Sequence, residues 1–92
     1  MTHKALAEIL TKYGDARQSG ARIDIPPSLD TTLFVAFGEE GLVIDRVRSV
    51  ELAAEFALAS TARGDRYVLL YEDVRAVRFG GQGASTAAGY ER

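Results

Sequence analysis

With 92 residues, 47% of them hydrophobic and 26% charged, the chain is sized and composed for one small globular domain and not for a disordered tract. Its formal charge of −2, from 11 basic and 13 acidic side chains spread along the chain, creates no long-range field to draw in nucleic acid. The absence of cysteine excludes disulfides, thiolate metal sites and cysteine nucleophiles, and it favours a reducing, cytoplasmic setting.

The N-terminus leads into an amphipathic pattern, so neither a signal peptide nor a membrane-spanning run is expected. Leu6, Ile9, Leu10 and Tyr13 recur at i, i+3, i+4 and i+7, the spacing of a single helical stripe. The pattern predicts a helix near residues 3–18, with Thr2 as N-cap and either Gly14 or Ser19-Gly20 as the stop. Ala21 to Ile25 alternates as a short strand that Pro26-Pro27 ends. Leu33 to Phe37 reads as a strand apolar on both faces, followed by a turn at Gly38-Glu39-Glu40-Gly41 and a return strand over Leu42 to Val47.

Residues 49–60 support two readings. Val50, Leu52, Ala54, Phe56 and Leu58 alternate as one strand, whereas the alanine and glutamate content, with Ser49 as N-cap, suits a helix. The period tips the choice to a strand, in hairpin with residues 66–72 across a turn at Ala62-Arg63-Gly64-Asp65. A last strand is predicted over Val74 to Phe79, and the glycine- and alanine-rich residues 80–92 read as a tail. The expected fold is therefore one α+β domain over residues 1–79: an N-terminal amphipathic helix, then a strongly twisted antiparallel sheet or small partly closed barrel of four to six strands.

Chemistry-bearing constellations are sparse. His3 is the only histidine and sits on the first helical turn, without a visible partner to orient it as a base. Glu39-Glu40 and Glu72-Asp73 are carboxylate pairs, but neighbours on a strand point opposite ways, and turn solubility and a tight bend account for them. Gly80, Gly81 and Gly83 lack the strand, helix and lysine context of a phosphate loop. The expectation is no enzyme, with no catalytic, cofactor-binding or metal-binding residue.

Two surfaces remain as candidates. A two-sided strand must be covered on both sides, so Leu33, Val35 and Phe37, with the same-face stripe Tyr67, Leu69 and Tyr71, are the candidate self-association face; tyrosine suits interfaces because its ring is apolar and its hydroxyl tolerates water. Arg46, Arg48, Arg75 and Arg78 are candidate phosphate contacts for an alternative reading as a nucleic-acid-binding barrel. Nine of the 11 basic residues are arginine, however, a bias that a GC-rich genome also produces.

The run Tyr67-Val68-Leu69-Leu70-Tyr71-Glu72-Asp73-Val74, continued to Phe79, resembles the strand, acidic bend and terminal strand that close Sm-like domains, and its acidic turn is similar to the end of PRC-barrel-like domains. Sm-like domains carry an Asp…Asn RNA-pocket signature. Asp45 is present but the chain contains no asparagine, so the resemblance implies ring-type assembly without base recognition. If residues 49–60 are helical, Gly41-Leu42-Val43-Ile44-Asp45 followed by Glu51 to Ala59 resembles the hairpin-then-helix of roadblock-like dimers. The resulting expectation is a non-catalytic, cytoplasmic, bacterial homo-oligomeric interaction or adaptor module. Its partner is itself or another protein, with nucleic acid as the runner-up and no membrane.

Overall fold

The computed structural model describes residues 1–81, as an α+β fold with one N-terminal helix and two antiparallel sheets. Helix α1 spans His3–Tyr13, and the strands are β1 (Arg17–Ser19), β2 (Arg22–Asp24), β3 (Leu29–Phe37), β4 (Glu40–Ile44), β5 (Val47–Leu52), β6 (Phe56–Thr61), β7 (Arg66–Leu70) and β8 (Val74–Gly81). A 3-10 turn, Tyr71–Asp73, joins β7 to β8. One sheet has the order β1-β2-β5-β6-β7 and the other β4-β3-β8. The expected class, helix position and antiparallel pairing are all present. The single sheet or partly closed barrel of four to six strands is not: the strands divide between sheets of five and three, without barrel closure among the described residues.

Helix α1 begins as the capping pattern predicts, with the Ala5 N–H donating to Thr2 Oγ1 at 3.0 Å. Leu6 and Leu10 are fully buried and form its packing face, whereas Tyr13, the last residue of the predicted stripe, is 64% exposed. It ends earlier than residue 18. The Gly14 N–H closes the last turn on the Leu10 carbonyl, and a Cβ at Gly14 would lie 2.5 Å from the Phe79 ring. Asp15 then takes a left-handed φ of 54° that directs the chain into β1. Arg17–Ser19 is therefore a strand and not helix, and Ser19-Gly20 becomes part of a hairpin turn.

The segment 49–60 is extended, and no helix of the roadblock-like kind occurs there. It is not one strand, however. The chain reverses between Leu52 and Phe56, and the Ala53 N–H donates to the Phe56 carbonyl at 2.9 Å. Leu52 pairs with Ala57 and Val50 with Ala59. Cross-strand partners share a face, so past the register shift between Val47 and Ser49 the inward positions are Val50 and Leu52 on β5, even-numbered, and Ala57 and Ala59 on β6, odd-numbered. An unbroken alternation from Val50 to Leu58 cannot anticipate that exchange.

Leu42–Val47 is likewise interrupted. Arg46 adopts φ 52° between β4 and β5, a conformation that costs a non-glycine residue about 1 kcal/mol or more. Its carbonyl accepts the Ala62 N–H at 2.9 Å, and Thr32 Oγ1 donates to Asp45 Oδ1 at 3.3 Å. These bonds hold the corner where the chain leaves one sheet for the other. Leu6, Leu10, Ile23, Leu33, Ile44, Val47, Val50 and Val74 form the largest part of the core and come from the helix and both sheets. Strand β8 continues to Gly81, pairing Gly80 with Asp30 and Gly81 with Leu29, so the ordered ladder runs past the expected boundary at residue 79. The rest of the expected tail, 82–92, lies outside the described residues.

Candidate self-association edge

Among the described residues strand β7 has one neighbour. It pairs with β6 through Phe56–Leu70, Ala57–Leu69, Leu58–Val68, Ala59–Tyr67 and Ser60–Arg66, and it ends the five-stranded sheet. The connecting turn sets which backbone groups face outward. Gly64, at φ 93°, donates its N–H to the Thr61 carbonyl at 3.0 Å, and the Thr61 N–H donates to the Asp65 carbonyl at 2.9 Å. This is a three-residue hairpin loop ending in a left-handed glycine. Hydrogen-bonded and non-hydrogen-bonded pairs alternate along an antiparallel ladder. Counting from the Thr61–Asp65 bond, Tyr67 and Leu69 direct N–H and C=O to β6, while Arg66, Val68 and Leu70 direct theirs to the open edge.

The side chains of those residues face outward as well. Val68 is 67% exposed and Leu70 49%, and on β6 beside them Phe56 is 43% exposed and Leu58 is half-buried. The four make a contiguous apolar patch at the sheet edge. Farther across the same outer face the register sets Leu58 beside Glu51 and Glu51 beside Arg22, so the surface grades from apolar at β7 to charged at β2.

The expected association face is distributed otherwise. Leu33, Val35, Leu69 and Tyr71 are buried within the chain's own core, with exposures of 0%, 5%, 6% and 8%. Tyr67 is half-buried and packs against that core, and only Phe37 is open, at the end of β3. The physical reason is the parity of β6. Its inward residues are Ala57 and Ala59, and their cross-strand partners Leu69 and Tyr67 must point inward with them. The outward stripe of β7 is therefore Val68 and Leu70.

Tyr71 serves the fold. Its hydroxyl donates to the Ala53 carbonyl at 2.6 Å, its ring meets His3 edge-on at 5.5 Å, and its own carbonyl accepts from the Met1 ammonium at 2.9 Å. Burial raises its pKa above the usual tyrosine value of 10.0.

The four arginines do not share one uniform surface. Arg46 and Arg78 line a shallow cavity with Asp30, Thr32 and Asp45, where opposite charges intermix. Arg48 is half-buried with Nη1 unpaired, and Arg75 is exposed outside that cavity. A smaller cavity of about 90 Å³ beside Arg46, Arg63 and Asp65 is also mixed in charge. Among the described residues no group of three or more His, Asp or Glu is placed to hold a metal ion, and no helix is long and apolar enough to cross a membrane. Comparison with protein-family models, with curated proteins and with solved structures returns no match.

Proposed function

We propose that this chain is a non-catalytic homo-oligomeric interaction or adaptor module that associates through the outer surface of β6 and β7. The observation that carries the reading is the coincidence of Phe56, Leu58, Val68 and Leu70 with a strand edge that has no partner among the described residues. Exposed apolar patches on small proteins mark association sites, and an unprotected edge adds a row of unsatisfied N–H and C=O groups. Neither proline nor lysine interrupts β7, and its ladder with β6 has no bulge.

Sedimentation velocity over a micromolar to millimolar concentration series tests the reading. The chain is expected to sediment above monomer mass, and Val68→Lys with Leu70→Lys to sediment as monomer with an unchanged far-ultraviolet circular dichroism spectrum. A parent chain that stays monomeric throughout the series overturns the proposal.

A further inference from the structure

Resting on that self-association reading, we infer that the partner is a second copy of this chain, bound β7 to β7 as an antiparallel two-fold pair in which Val68 of each copy lies opposite Leu70 of the other. The two five-stranded sheets then become one continuous sheet.

The backbone restricts the choices. Only Arg66, Val68 and Leu70 turn N–H and C=O to the edge, so a hydrogen-bonded two-fold ladder must pair these residues with one another. Three registers do so near the strand centre. If Arg66 lies opposite Val68, an arginine faces an apolar side chain twice and Leu70 meets no residue of the other copy's strand. If Val68 lies opposite itself, each Arg66 faces the apolar Leu70 of the other copy. If Val68 lies opposite Leu70, apolar meets apolar twice, and Arg66 comes past the end of the other copy's strand, beside the 3-10 turn that carries Glu72.

The charge along the edge favours the register that sets Val68 opposite Leu70. One end of β7 carries Arg63 and Arg66, with Asp65 between them, all exposed. The other end opens onto a concavity of about 540 Å³ lined by Met1, Thr2, Glu55, Leu70, Tyr71 and Glu72, where the carboxylates of Glu55 and Glu72 outnumber the Met1 ammonium. A two-fold axis brings the basic end of each copy to the acidic end of the other. Like charges directly opposite are unfavourable, and opposite charges help select register. Because the same edge is used by both copies, the contact is isologous and closes at a dimer.

The test is a charge swap read by sedimentation equilibrium. Arg66→Glu alone and Glu72→Arg alone are each expected to raise the dimer dissociation constant about tenfold or more, since each brings two like charges together twice. The double variant R66E/E72R is expected to return to near the parent value. Amide exchange on the parent gives an independent readout that needs no variant: Val68 and Leu70 N–H should gain protection as concentration rises, while Tyr67 and Leu69, already bonded to β6, should not change. A dimer sensitive to Val68→Lys but without rescue in the double variant overturns this register and leaves self-association standing. Growth beyond dimer overturns the two-fold pairing, and a parent chain monomeric at every concentration overturns both this inference and the reading on which it rests.

Discussion

The two edges of the five-stranded sheet differ in almost every respect. Strand β1, at one edge, has three residues, Arg17-Gln18-Ser19, all polar and all exposed. Its neighbour β2 adds an exposed ion pair, Arg22 Nε to Asp24 Oδ1 at 2.9 Å. Short length, polarity and charge are the devices by which sheet edges avoid pairing. Strand β7, at the other edge, presents Val68 and Leu70, whose outward backbone groups meet no strand among the described residues, and a single arginine. A chain that blunts one edge and leaves the other apolar makes its second edge the place to look for a partner.

The contrast can be tested within β7 itself, where neighbouring residues have opposite fates. The largest expected effect is from Leu69→Ala, which empties an inward position and should lower stability by about 2–5 kcal/mol in urea denaturation. Val68→Ala, one residue away and outward, should change the stability of the monomer by less than about 0.5 kcal/mol while weakening association. Equal losses for the two would contradict the parity described above.

Gly14→Ala should come next. Its Cβ would lie 2.8 Å from the Leu10 carbonyl oxygen as well as against the Phe79 ring. The ring can shift but the helix carbonyl cannot, so a cost of about 1–3 kcal/mol is expected in the same assay.

Tyr71→Phe removes the bond to the Ala53 carbonyl and should cost about 1 kcal/mol. The variant also has a pH signature. The phenol of Tyr71 ionises less readily in the fold than in the unfolded chain, so its contribution is complete below the unfolded value near 10 and is lost as pH rises through the higher folded value. Stability measured from pH 8 upward should fall less steeply in Tyr71→Phe than in the parent. The smallest effect belongs to the blunt edge: Ser19→Lys on β1 should leave the sedimentation profile unchanged and shift stability by less than about 0.5 kcal/mol, whereas Val68→Lys should abolish association.

Much of the architecture is readable along the chain because its signals are local. The i, i+3, i+4 spacing of Leu6, Ile9 and Leu10 specifies a helix wherever that segment packs. Gly38 and Gly64 mark the reversals that separate β3 from β4 and β6 from β7. The alternation around residue 50 identifies extended chain correctly against a composition that suits a helix. The short strand β1 is hidden because its three polar residues have no period, and its existence depends on Gly14 and Asp15 ending the helix early.

The association face is a harder case, and Tyr67-Val68-Leu69-Leu70-Tyr71 shows why. Five apolar or aromatic residues in a row carry no information about which face is inward. The choice passes to β6, where Ala57 and Ala59 face the core. That orientation in turn depends on the chain reversal between Leu52 and Phe56, which exchanges even for odd positions.

The amino-acid sequence alone therefore determined the α+β class, the leading helix, the extended character of residues 49–60 and the turns near 38–41 and 62–65, since each follows from interactions within a few residues. Only the tertiary structure decided that β2 pairs with β5 and β3 with β8, that the strands form two sheets, and that Val68 and Leu70 face solvent while Leu69 and Tyr71 do not. Strand partners far apart in the chain, and the face shared by cross-strand neighbours, are set by which surfaces can be buried together, and no short stretch of residues encodes that.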